Sequence, residues 1–253
     1  VIPNKNVEIR QVAPPPSTHF AHQPLVYSAR MTTLPSSDTP NGQPAAPALD
    51  CGICGRLVDF RHDNQSKFPA FHNAPVPSFG PLDARVLIVG LAPGLKGANQ
   101  TGRPFTGDYA GDLLYPTLLR YGFAEGAYGA NPDDGIRLID IRITNAVRCV
   151  PPQNKPVGAE IKACRPFLAS ELAALPQLHT VIALGVVAHN SVLAASGLKQ
   201  SHCKFAHNAR HELPGGLILN DSYHCSRYNT NTGRLTEAMF HDVFASVKAG
   251  LAG

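Results

Sequence analysis

Arg85-Val-Leu-Ile-Val-Gly-Leu91 is a short apolar run bounded by Pro81 and Pro93. Its length and flanking prolines predict a strand buried on both faces. Thr180-Val-Ile-Ala-Leu184 has the same character, and a helix is predicted after it, from about Val186 to Ala195. Between the two runs, Asp108 to Arg120 carries Leu113, Leu114 and Leu118 at helical spacing. Ile136 to Val147 alternates apolar and polar residues, which predicts a further strand. Gly158 to Ala174 reads as a helix ending before Pro176, Leu217 to Leu219 as a short strand, and Thr236 to Ala249 as a closing helix. Strands alternating with helices imply an α/β fold: one domain with a mostly parallel central sheet, flanked by helices on both faces. No internal repeat is visible.

The rest of the chain bounds this reading. No apolar run approaches the ~18 residues that span a bilayer, so a membrane protein is excluded at this level. The start shows no basic stretch followed by an apolar one, so no secretory signal is expected and the location is read as cytoplasmic. The first fifty residues hold 9 of the 23 prolines and balance three basic against three acidic groups. Residues 1–49 are therefore expected to be a Pro-rich, largely unstructured segment, and 50–253 the folded domain. The surplus of 22 Lys and Arg over 18 Asp and Glu falls in the latter and permits a polyanionic partner. The first methionine is Met31, and a start there, with 1–30 as upstream sequence, is one reading left open.

In a parallel sheet the ligand lies beyond the carboxyl ends of the strands. Three loops follow such ends: Gly90-Leu-Ala-Pro-Gly94 with its continuation to Asp108, Thr144-Asn-Ala-Val-Arg-Cys149, and Asp221-Ser-Tyr-His-Cys-Ser-Arg227. The first holds five glycines, which let backbone approach a ligand, but neither GxGxxG nor GxxxxGK[ST] is present. Rossmann-type nucleotide binding is disfavoured. Asp108, Asn145 and His224 all fall on these loops. The six cysteines include the chelating pair Cys51-x-x-Cys54 and, with fourteen residues between them, Cys149 and Cys164. Spacing alone leaves zinc, an iron–sulfur cluster and ordinary buried cysteines open.

Four stretches carry a resemblance: Gly90-Leu-Ala-Pro-Gly94, Thr101-Gly-Arg-Pro-Phe-Thr-Gly-Asp108, Thr144-Asn-Ala-Val-Arg-Cys149, and the run Ser222-Tyr-His-Cys-Ser-Arg-Tyr-Asn-Thr-Asn-Thr-Gly-Arg-Leu235. From Cys51 onward the chain resembles the uracil-DNA glycosylase superfamily, most closely its family 5, the type B enzymes with an iron–sulfur cluster. Family 4 enzymes carry a Glu where Leu91 stands. The resemblance implies a monofunctional, monomeric glycosylase that initiates base excision repair. Its substrate would be uracil, and other deaminated or modified bases, flipped out of double-stranded DNA. It implies a [4Fe-4S] cluster on Cys51, Cys54, Cys149 and Cys164, with Cys203 and Cys225 as non-ligands. It assigns Asp108 and Asn145 to the water side and His224 to the base. Leu91, Ala92, Gly94, Phe105 and Asn145 would form the base pocket. The loop after His224 would enter the minor groove, with Arg227 or Tyr228 as wedge and Arg234 among the DNA contacts.

Cleavage of a glycosidic bond to a base asks for these residue types. The sugar becomes oxocarbenium-like and the base leaves as an anion, so an aromatic face, a donor to the base and a group that positions water are needed. Each residue also has a plainer role. Asp108 can cap a helix starting near Tyr109, Asn145 can close a turn, His224 can be a satisfied structural histidine, and Phe105 can be core. Arg103 and Lys96 can be solvated loop charges. Lys204, Arg210, Arg227 and Arg234 form a modest basic stripe. A non-catalytic iron–sulfur protein that binds nucleic acid or senses redox state is the alternative from another class, and a zinc-stapled enzyme of small nucleosides a third.

Overall fold

The computed structural model describes residues 42–252. In chain order its elements are α1 (Gly55–Lys67), β1 (Val86–Gly90), α2 (Ala98–Thr101), α3 (Tyr109–Arg120), β2 (Ala124–Glu125), β3 (Arg137–Leu138), β4 (Ile141–Asn145), α4 (Gly158–Ala174), β5 (Thr180–Leu184), α5 (Val186–Ala195), β6 (Arg210–Glu212), β7 (Ile218–Ser222), α6 (Arg227–Asn231) and α7 (Glu237–Gly250). A five-stranded sheet has the order β4-β1-β5-β7-β6. The first four strands are parallel, and β6 closes the edge antiparallel to β7.

Every residue of β1 and β5 is buried, as expected of strands covered on both faces. Alternation along them divides the core. Val86, Ile88 and Ile182 face Leu114 and Leu118 of α3 and Phe240 and Phe244 of α7. Leu87, Val89, Val181 and Ala183 face Leu168 and Leu172 of α4 and Val192 of α5. This is the expected α/β sandwich, with the predicted helices at 158–174 and 186–195 in place.

Three expectations are corrected. The strand predicted over Ile136–Val147 is two strands, broken at Asp140, which turns at φ 60°. Its carboxylate accepts from the Arg85 backbone at 3.0 Å and the Arg85 guanidinium at 2.6 Å, which fixes the turn. The short strand at 217–219 instead runs from Ile218 to Ser222, so Asp221 lies in β7 and not on a loop. Alternation missed this because Asn220, Asp221 and Ser222 are polar yet buried. The segment after His224 is not an open loop: Ser226 caps the short helix α6 by accepting from Asn229 N. Helices α1 and α2 and strand β6 were not predicted. Most of the Pro-rich segment, residues 1–41, lies outside the described residues, and in its remainder Ala45 N donates to Ser170 Oγ in α4 at 2.7 Å.

Arg103 is also corrected, from a solvated charge to a buried one. Its side chain is 6% exposed and pairs with that of Asp134, 5% exposed, through two bonds of 2.7 and 2.8 Å. Asp134 further accepts from Gly129 N and Ile136 N, and these bonds together with the guanidinium hold its carboxyl well below the usual range. Asp134→Ala leaves a buried guanidinium unpaired and should cost about 3–5 kcal/mol in urea unfolding at neutral pH. The folded-state pKa is depressed, so this contribution is present above about 3.9 and lost as pH falls through the folded value. An unchanged urea midpoint would refute the role of the pair.

Candidate active site

The carboxyl ends of β1, β4 and β7 converge as the topology requires. Gly90 and Asn145 are register partners at the ends of β1 and β4, and His224 lies just beyond β7. Gly90 cannot carry a side chain: a Cβ there would lie 2.3 Å from Asn145 Oδ1 and 2.6 Å from Phe105 Cζ. The Phe105 ring thus fills the space over Gly90 and stacks toward the His224 ring, centroids 6.0 Å apart at 28°. Phe105 is core and pocket wall at once.

Phe105 has φ 54°, in the left-handed region that costs an aromatic residue on the order of 1 kcal/mol. Its neighbours hold it there. The buried Tyr115 hydroxyl donates to Pro104 O at 2.7 Å, Arg103 Nε donates to Thr106 Oγ1 at 2.7 Å, and the Tyr128 hydroxyl donates to Phe105 O at 3.4 Å. The Tyr115 and Tyr128 rings stack at 4.6 Å. Burial pushes both phenols up, Tyr128 to about 12, so both remain donors.

Asp108 does cap α3, accepting from Gly111 N at 3.3 Å. Its carboxylate also packs against Gly97, where a Cβ would approach Oδ2 to 2.3 Å. Burial raises its pKa, and the Gly111 and Ala110 backbone donors oppose that rise. His224 is not the satisfied structural histidine of the plainer reading. Its Nδ1 is buried and without a hydrogen-bond partner among the described residues. Burial pulls its pKa down to about 4, so the ring is neutral at physiological pH.

One pocket is lined by Ala92, Gly94, Phe105, Asp108, Asn145 and His224. It opens into a cleft of about 760 Å³ with Leu91, Lys96, Asn154, Val186, Arg227 and Tyr228 on its walls. Every expected catalytic and pocket residue is therefore brought together. Arg227 sits over the Tyr109 ring at 5.3 Å, while Tyr228 is 72% exposed at the rim. Arg234 does not line the cleft, since its guanidinium covers the Tyr223 ring at 4.7 Å. Sequence reasoning missed Asn154 and Val186. Asn154 ends a 3-10 turn after β4 and Val186 opens α5 directly after β5, so a search beyond every strand's carboxyl end would have found them.

Cys51, Cys54, Cys149 and Cys164 line a second pocket, otherwise walled by apolar side chains such as Leu57, Val147 and Phe167. Burial and the neighbouring thiols push Cys149 up to about 12, with Arg61 opposing. Arg148 N donates to Cys164 Sγ at 3.4 Å. Cys203 and Cys225 are not in this pocket.

Comparison with known proteins adds independent findings. The family model "Uracil DNA glycosylase superfamily" matches residues 77–248. The chain is 45% identical over 208 residues to a Type-5 uracil-DNA glycosylase of Thermus thermophilus, covering 80% of this chain and 94% of that protein. It is 40% identical over 211 residues to a Type-5 uracil-DNA glycosylase of Mycobacterium leprae, covering 80% and 92%. A Type-4 uracil-DNA glycosylase of Pyrobaculum aerophilum is 36% identical over 123 residues, covering 48% of this chain and 55% of that one.

Proposed function

The chain belongs to the uracil-DNA glycosylase superfamily and has uracil-DNA glycosylase activity in base excision repair, and from that premise we propose how its own residues perform the reaction. The observation that carries the proposal is the neutral, unpartnered His224 facing Phe105 in the pocket that Asp108 and Asn145 also line. The substrate is uracil in double-stranded DNA, flipped into the cleft. The base lies against Phe105. As the bond from C1′ to the base breaks, its electron pair goes to the base, and neutral His224 donates a hydrogen bond to the carbonyl oxygen that gains charge. Water adds to C1′ and loses a proton to the Asp108 carboxylate, while Asn145 orients the water or the base edge. Burial raises the Asp108 pKa, the direction that strengthens a base, and two backbone donors oppose the rise. No Lys lies in the four matched stretches or in the pocket that Asp108, Asn145 and His224 line, so the enzyme is read as monofunctional.

Leu91 puts an aliphatic side chain in the cleft wall where the type-4 enzymes carry Glu. This supports entry of other deaminated or modified bases, because no buried carboxylate there rejects a differently substituted edge. At the rim, Tyr228 is the wedge that fills the space left by the flipped base, and Arg227, Lys96 and Asn154 face the backbone. We assign the DNA duplex, not single strands, as the partner on this basis. Arg234, spent on Tyr223, is at most a peripheral contact.

The four thiols of the second pocket fit a [4Fe-4S] cluster. Four soft donors and no competing carboxylate or imidazole line it. Four thiolates contributed by separate segments, from the start of α1 to α4, are a ligand set that a cluster accepts. Bound iron would hold the thiols deprotonated. The Arg148 backbone donor to Cys164 is of the kind that stabilises cluster sulfur. The site joins the start of α1 to β4 and α4, so its role here is to hold those segments.

Five substitutions test these assignments. Asp108→Asn preserves the cap, since Asn caps as well as Asp. It should still slow single-turnover excision of uracil by about 10²–10⁴-fold with duplex binding kept, and His224→Ala should cost a comparable factor. An Asp108→Asn enzyme with the wild-type rate would remove Asp108 from the chemistry. Cys149→Ala should lose iron and lower the unfolding temperature, whereas Cys203→Ala should retain iron; iron analysis giving the reverse would overturn the ligand set. Tyr228→Ala should reduce excision from duplex more than from single-stranded substrate, where no stack must be filled. Equal losses on both substrates would argue against a wedge.

A further inference from the structure

Asp221 lies in β7, fully buried, three residues before His224. Its Oδ1 is 2.7 Å from His189 Nδ1 and its Oδ2 2.9 Å from His211 Nε2. The other ring nitrogen of His189, Nε2, is 3.1 Å from the carbonyl oxygen of Cys203. That carbonyl can only accept, so Nε2 must carry a proton. A proton must also lie between Nδ1 and Oδ1, since two lone pairs at 2.7 Å would repel. The pair therefore holds one proton more than a carboxylate and a neutral imidazole. Reference pKa values of about 6.5 for His and 3.9 for Asp place it on the ring. We propose that His189 is a buried imidazolium, protonated on both nitrogens, and that with Asp221 and His211 it forms a charged clamp that positions His224 for excision.

The clamp reaches each segment around His224. His189 is in the first turn of α5, its N–H bonded to Gly185 O, and Gly185 N donates to Ser222 O at 2.8 Å. A Cβ on Gly185 would meet the His224 Cβ at 3.6 Å, so this turn is the wall beside the catalytic ring. Ala206 N donates to Asp221 Oδ2, and Asp221 exchanges backbone bonds with Asn208 and Ala209. The same loop carries His207, whose Nδ1 accepts from Tyr223 N and whose ring stacks on Tyr223 at 5.0 Å. His224 has no partner of its own at Nδ1, so its orientation rests on this backbone frame.

The groups facing His189 are Asp221 from β7, His211 from β6, and Cys203 and Phe205 from the intervening loop. Burial lowers the His189 pKa, but the Asp221 carboxylate and the Cys203 carbonyl outweigh it and the net shift is upward. Its stabilisation is therefore complete below the unfolded value and is lost as pH rises through the folded one. The three side chains also have the composition of a metal site, their ligand atoms lying within 4.8 Å. Separations of 2.7 and 2.9 Å are those of hydrogen bonds; ligands on one zinc stand about 3.3 Å apart.

The inference rests on His224 as the donor to the base, and the experiment separates the two. In ¹⁵N-histidine NMR of the full chain at pH 7.5, an ordinary histidine is about nine-tenths neutral. One histidine, assigned by its loss in His189→Gln, should show both nitrogens protonated, unchanged by one equivalent of zinc. A single protonated nitrogen, or a resonance that moves with zinc, overturns the imidazolium. His189→Gln should lower single-turnover excision about 10- to 100-fold with duplex binding kept, and should lack the alkaline fall in rate that the wild type shows as His189 titrates. A wild-type rate and profile in the variant overturn the positioning role. Should His189→Gln not fold, the wild-type enzyme decides: an alkaline limb that does not coincide with the His189 titration overturns it. Full excision by His224→Ala would overturn the role of His224 and leave the protonation of His189 intact.

Discussion

The site depends on one steric fact: nothing but hydrogen projects from the Cα of Gly90. The parallel pairing of β1 with β4 sets Asn145 beside it, and the Phe105 ring occupies the volume that any side chain would take. That packing is only reached with Phe105 in the left-handed region, a conformation an isolated chain would leave. The Tyr115 and Tyr128 hydroxyls and the buried Arg103–Asp134 pair are the restraints that keep it. Strain at a pocket wall, over-determined by its surroundings, is a recurring feature of sites that must be formed before the ligand arrives.

The two ionisable groups of the pocket are tuned in opposite ways by the same burial. Loss of water raises Asp108 and lowers His224. For the carboxylate the effect is opposed, though not cancelled, by backbone donors at the start of α3. For the imidazole nothing opposes it, and the ring is neutral at physiological pH. On the proposed mechanism the pocket would offer a base on one side and a neutral donor on the other, as hydrolysis of a glycosidic bond to a leaving anion requires.

Much of this was legible in the chain itself. The apolar runs at 86–90 and 180–184, and the helices at 158–174 and 186–195, followed from length, periodicity and proline placement. The rule that ligands sit at strand carboxyl ends selected Asp108, Asn145 and His224 before any contact was known. What was not legible has a common cause. Asp221, Arg103 and Asp134 are polar residues in buried positions, and their burial is explained only by partners distant in sequence: His189, His211, and each other. The break at Asp140 likewise depends on Arg85, fifty-five positions away. Periodicity assigns polar residues to the surface and cannot anticipate a charge that is compensated inside.

The pocket has a floor and a rim of different make. The floor is strand: Gly90 and Asn145 are paired in register, in a sheet sealed on both faces. The rim is turn and short helix: α6, and the stretch where Gln153 and Asn154 both adopt positive φ. Rim segments of this kind move on nanosecond to microsecond times, while the floor opens only as the sheet does. On the proposed reading, DNA would be gripped by parts that adapt to a distorted duplex, and the base would be judged by parts that do not. Discrimination among bases would then belong to the stiff end of the molecule and tolerance of DNA context to the soft end, so the two could diverge independently in related enzymes.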